Sequence, residues 1–189
     1  MKQSKILLFV LLSLSTQAFA QGVMNADRRQ GFNGMWIFDA KRSYPGYKAL
    51  YEGQTLEISY SEPELKIVRT MTRMNETTRL KETKSATLVL YPDNRGEKNR
   101  PYPFNETLEV ESKTVWVKDI LVRTFMIKFY QSGEVVGGDT TQESYVISED
   151  GETLTIIEES RSKITTDSPY GKLKNDSKGK AKLVYKRKK

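Results

Sequence analysis

The chain has 189 residues, with 31 lysines and arginines against 24 aspartates and glutamates, and contains neither cysteine nor histidine. Disulfides, Ser-His and Cys-His nucleophile pairs, an imidazole base and a zinc site of ordinary composition are therefore excluded. The net charge of +7 is uneven: residues 172–189 carry +8, whereas residues 21–171 carry −3.

Residues 1–20 read as an export leader. Lys2 and Lys5 precede the apolar run Ile6 to Leu12, and Ala18 and Ala20 supply the small residues of a cleavage site before Gln21. The run is shorter than the roughly 20 residues a helix needs to cross a bilayer. The expectation is an exported protein, periplasmic or secreted, without a transmembrane segment. Residues 21–32 form a lead-in, 33–187 a single domain, and 188–189 a basic end. A domain of about 150 residues buries enough of its surface to fold without covalent staples.

From residue 33 the dominant signal is alternation with period two, in short runs bounded by turn residues. "MWIFDA" (35–40) begins it, and "TLEISYS" (55–61) and "LKIVRTMTR" (65–73) follow across Ser61-Glu62-Pro63-Glu64. "TTRLKETK" (77–84) reads as a polar strand, and "ATLVLY" (86–91) ends in a Pro92 to Gly96 turn. After Pro101 and Pro103 come "ETLEVES" (106–112), "TVWVKD" (114–119) and "LVRTFMIKFYQ" (121–131). "ESYVIS" (143–148) and "TLTIIEE" (153–159) flank Asp150-Gly151, a hairpin signal. Residues 160–178 are polar and turn-rich and read as a long mobile loop. "KAKLVYK" (180–186) resumes the alternation as a last strand, its lysines guarding an exposed sheet edge. The pattern predicts an all-β fold, an antiparallel up-and-down barrel of about 8–10 strands.

A barrel has ends to seal. Trp36, at the start of the first strand, covers much apolar area with few rotatable bonds. Gly34 lets the backbone turn into the strand without a Cβ clash. Gly34-Met35-Trp36, then Asp39, Lys41 and Ser43, then Tyr44-Pro45-Gly46, resemble the entry motif of small exported bacterial lipocalin-like (calycin-type) proteins. "ESYVISEDGETLTIIEE" (143–159) is similar to that group's late hairpin, and "LVYKRK" (183–188) to its closing strand. The resemblance implies a lipocalin-like barrel in which a basic side chain from the barrel's end crosses the entry tryptophan. Arg187 and Lys186 are the two residues in place for that role, and Gly34, Trp36 and Arg187 are taken as the structural barrel end.

Barrels of about eight strands have room for their own side chains or for one small ligand. Trp36, Trp116, Phe125, Phe129, Tyr145 and Tyr185 are the candidates to line such an interior around a small apolar or amphipathic molecule. The rival reading is that they fill the core. The protein would then be an envelope-associated interaction protein whose Lys-rich C-terminus meets an anionic surface. Nucleic acid is not expected, because only Tyr170 and Tyr185 stand near those lysines to stack bases. The acids, such as Glu57, Glu109 and Asp150, read as outward strand positions or turns. No catalytic residue, metal ligand or cofactor is assigned, and an enzyme is not expected.

Overall fold

A computed structural model describes residues 28–44, 53–75, 77–105, 107–131, 133–168 and 171–189. The expected leader, the first part of the lead-in and the Pro45-Gly46 turn lie outside the described residues. Ten strands follow in order: β1 (Gly34–Phe38), β2 (Thr55–Ser61), β3 (Glu64–Met74), β4 (Lys81–Leu90), β5 (Glu97–Asn99), β6 (Val110–Val117), β7 (Ile120–Gln131), β8 (Glu134–Ile147), β9 (Thr153–Ser168) and β10 (Gly171–Arg187). All pair antiparallel in one sheet of order β4-β3-β2-β1-β10-β9-β8-β7-β6-β5, rolled into a nearly closed barrel. No helix among the described residues is long and apolar enough to cross a membrane.

The alternation seen in the sequence becomes alternating burial. In β2, Leu56, Ile58 and Tyr60 are buried while Glu57 and Ser59 face solvent. Leu65 and Ile67, Leu88 and Leu90, Leu121, Tyr145, Leu154 and Ile156, and Leu183 and Tyr185 join them in one core. Burying each such side chain is worth about 1.5–3 kcal/mol, so this cluster is the main source of stability.

The two edges of the sheet meet through side chains. The Asn99 carboxamide donates to Val89 O (2.9 Å) and accepts from Val89 N (2.7 Å), taking the place of a peptide group between β5 and β4. Asn94 N donates to Thr114 O (3.0 Å) where the chain crosses from β4 to β6. The seam is closed without a full ladder.

Two expectations are corrected. Residues 160–168 and 171–178 are strand rather than loop, because β9 runs to Ser168 and β10 starts at Gly171. There the hairpin extends past the apolar core and the sequence is polar at successive positions, so the period-two signal fades. Cross-strand ion pairs support it, including Arg161 with Asp176 (2.6 Å) and Lys180 with Glu159 (2.7 Å). Nor is β10 an edge, for it lies between β1 and β9. Its outward lysines, Lys182 among them, stand on the barrel's outer face.

The end of the barrel at Trp36 is sealed by one arginine. Arg187, the register partner of Trp36, lies over the indole with its guanidinium carbon 4.3 Å from the ring centroid. It donates to Asn33 O (2.7 Å), Gly31 O (2.6 Å) and Gly151 O (2.8 Å). The indole nitrogen donates to Phe32 O (3.0 Å). Lys186, the other basic residue in position, points outward and pairs with Asp39 (2.8 Å), holding that carboxyl below the usual carboxylate range through the hydrogen bond it donates.

Trp36 is fully buried. Trp36→Ala should therefore lower stability by about 3–5 kcal/mol, the range for truncating a large core aromatic. Denaturant titration followed by circular dichroism reads this directly, and an unchanged midpoint would place the indole outside the load of the fold.

Candidate functional site

The inward positions of the strands are not uniformly apolar. Arg69 follows Leu65 and Ile67 on the inner face of β3, and Arg123 sits between Leu121 and Phe125 on β7. Glu143 precedes Tyr145 on β8, and Glu158 follows Leu154 and Ile156 on β9. These four share one region around Tyr102 and Tyr145, so the barrel interior divides into an apolar half and a charged half.

The charged half is bonded internally. Arg123 donates from Nη1 to Glu143 Oε2 (3.1 Å) and from Nε to Ser112 Oγ (3.0 Å), and its guanidinium lies 4.5 Å from the Phe125 ring centroid. Tyr145 donates its hydroxyl to the same Glu143 oxygen at 2.8 Å. Burial, with the nearby Glu143 charge, pushes the Tyr145 phenol well above its ordinary value. Ser112 and Thr114 both donate to Glu97 Oε1 at 2.7 Å. Among the described residues, Nη2 of the buried Arg123 is left without a partner.

Glu143 and Glu158 are direct cross-strand partners. Desolvation, followed by the Glu143 charge, raises the Glu158 carboxyl to about 7, with Arg69 pulling the other way. Two carboxyl groups facing each other in a site of low polarity cannot both ionise freely.

A cavity of about 200 Å³ opens beside this pair, bounded by Arg69, Tyr102, Phe125, Glu143, Glu158 and Ala181 among others. Tyr102 comes from the segment between β5 and β6, where Pro101 and Pro103 are buried. Burial raises the Tyr102 phenol as well. Two residues on, Phe104 packs against the Arg73 guanidinium at 4.0 Å. Residues 100–105 thus cover the charged half from above. A wider concavity of about 990 Å³ lies on the outside of the barrel, against Lys98, Lys113, Met126 and Lys128, and is an open trough rather than an enclosed site.

The six aromatic candidates divide accordingly. Trp36, Tyr145 and Tyr185 fill the apolar core, and half-buried Trp116 packs against its rim, edge-on to Phe32 and Tyr60. Phe125 alone of the six borders the interior cavity, and Phe129 is half-buried beside the bulge in β7. Tyr185 is held by Phe38, edge-on at 5.5 Å, and accepts a hydrogen bond from Gln54 (2.9 Å).

The acids at the centre of this site escaped the sequence reading, which placed acidic residues in turns and on outward faces. Their parity carried the signal. Glu143 is two residues from Tyr145, and Glu158 two from Ile156, each on the same side of its strand as an apolar neighbour. No protein-family model matches the sequence, and a search of curated proteins finds no match.

Two outcomes test the electrostatics. Removing one member of the buried pair, as in Glu143→Leu, should cost about 3–5 kcal/mol, because Arg123 is left buried and uncompensated. Glu158 has the opposite effect. Its folded value is above its ordinary one, so the folded state holds the proton more tightly than the unfolded chain. Stability should therefore fall as pH rises from about 4.5 to about 7. Glu158→Gln should flatten that slope in melting curves taken across the window. A slope identical to that of the unmodified protein would show that Glu158 does not titrate there.

Proposed function

We propose that this chain is an exported lipocalin-like binding protein that holds a small amphipathic molecule in the charged half of its barrel. The observation that carries the reading is the 200 Å³ cavity, bounded by Arg69, Glu143 and Glu158 in a barrel whose other half holds a core of buried apolar side chains. Drug-sized ligands occupy roughly 300–1,000 Å³, so the molecule is smaller than those. Its apolar part would rest on Phe125, Ile127 and Ala181, and a cationic or hydrogen-bond-donating group would face Glu143 and Glu158. A ligand of that kind replaces the proton that Glu158 otherwise binds near neutrality. The charged lining favours an amphipathic over a purely apolar ligand, since desolvating charges against hydrocarbon alone is costly. Export is supported by the leader pattern at residues 1–20.

Native mass spectrometry of protein purified from its own host's envelope should reveal a retained small mass. Glu158→Gln should lower that retention tenfold or more, the weight of one charge-assisted hydrogen bond. Protein that emerges bare, and takes up nothing from a host extract, would overturn the reading.

A further inference from the structure

The β7–β8 hairpin continues beyond the charged half, and its outer face combines exposed apolar side chains with lysines. Register places Met126, Thr140, Arg161 and Lys178 in one cross-strand row, and Lys128, Gly138, Lys163 and Asp176 in the next. Beyond these rows Tyr130 stands opposite Val135, the last described side-chain pair before the turn. Tyr130 is 63% exposed, Val135 58% and Met126 52%. Asp176 is engaged by Arg161. Among the described residues none of Lys128, Lys163 and Lys178 forms an ion pair, although Lys163 and Lys178 lie near enough to Asp176, and Lys128 to Glu111, to add to the lowering of those carboxyls that Arg161 and Lys98 cause. Gly138 adds no side chain between Lys128 and Lys163.

From this arrangement we infer that the β7–β8 tip is a membrane-contact element, with Tyr130 and Val135 entering the interface of an anionic bilayer while Lys128, Lys163 and Lys178 meet its headgroups. Tyr130 and Val135 stand beyond the lysine rows, beside one exposed carboxylate at the turn, Glu134, and an apolar pair ahead of lysines matches a surface whose charge is outermost and whose apolar layer lies beneath. Tyrosine favours that boundary, and lysine can lie along it while keeping its charge at headgroup level. A soluble polyanion would satisfy the lysines but leave Tyr130 and Val135 in water. The site is independent of the interior cavity.

Co-sedimentation of the purified protein with vesicles distinguishes these occupants. Binding should occur with equimolar phosphatidylcholine–phosphatidylglycerol vesicles and not with phosphatidylcholine alone. Each of Lys128→Gln, Lys163→Gln and Lys178→Gln should weaken it about fivefold at low salt, with the difference shrinking as salt rises. The double variant Tyr130→Ser, Val135→Ser should abolish the surface-pressure rise on phosphatidylglycerol monolayers while keeping a normal melting curve, because both side chains are exposed. Ligand retention in the barrel should not change in any of these variants, which separates this test from that of the interior site. Wild-type protein that ignores anionic vesicles would overturn the inference. So would a double variant that penetrates monolayers like the wild type, or complete displacement from vesicles by soluble polyphosphate with the double variant binding as tightly as wild type.

Discussion

A guanidinium presents five N–H donors in a fixed plane and never loses its charge inside a protein, so a half-buried arginine is stable only where carbonyls converge on it. Arg187 has three such carbonyls, and they come from three places in the chain. Gly31 belongs to the lead-in, Asn33 to the entrance of β1, and Gly151 to the β8–β9 turn. One side chain at the end of β10 therefore fixes the lead-in, the first strand and a hairpin in common. The face of the same guanidinium rests on Trp36, where cation–π attraction adds to packing. Gly34 follows from this geometry twice over. Its φ of +132° suits glycine, and a Cβ there would stand 2.7 Å from Arg187 Nη1. Lysine has neither the plane nor the fork to do the same. Lys186, one residue earlier, faces the opposite side of the strand and reaches Asp39 instead.

Once that end is fixed, the remaining difficulty is the seam. A sheet of ten strands in a single order has two edges, and unpaired edge groups invite other chains. β5 is only three residues long and offers little ladder to β4. The carboxamide of Asn99 carries both a donor and an acceptor on one short stem, so it reproduces the paired bonds of a peptide at Val89. Glu97 stands on the same side, accepting from Ser112 and Thr114 through Oε1 and from Tyr91 N (3.5 Å) through Oε2, so it anchors β5 to β6 and also reaches across the seam to the end of β4. The barrel is thus closed by side-chain chemistry where backbone pairing runs out.

How much of this was legible depended on whether a residue's role was written in the alternation. β2 and β7 coincide with the predicted runs, because their apolar residues face a packed interior at every second position. β4 and β6 were each read as two runs, since Ser85 and Lys113 interrupt the pattern without interrupting the pairing. The first half of β8 was hidden because Gly137-Gly138 supplies no side chains to carry the alternation. In the sheet these glycines are required by close approach, and a Cβ on Gly137 would lie 2.1 Å from Lys163 O. β5 was invisible because its function is hydrogen bonding rather than apolar burial. At the candidate site the alternation was correct but incompletely read. Arg69, Arg123, Glu143 and Glu158 keep step with their apolar neighbours, which puts them inside regardless of their charge.

That the barrel is charged inside is the feature least explained by stability. Each buried ion gives up several kcal/mol of hydration, and a well-packed apolar replacement for a buried pair is often as stable or more so. The apolar half shows that this chain can pack such a core from Leu56, Ile67, Leu154 and Leu183. Along β7, β8 and β9 the change from aliphatic to charged residues falls in one cross-strand row, Arg123, Glu143 and Glu158 lying next to the row of Leu121, Tyr145 and Ile156, so it is a boundary across neighbouring strands rather than scattered substitution. The segment bearing Tyr102 covers the charged side of that boundary, and the Arg187–Trp36 lock closes the other. A barrel built in this way places its stability in one half and its titrating groups in the other. The network around Arg123 holds Glu143 in place, and Glu158 faces that carboxylate from the next strand, beside a space that protein atoms leave open.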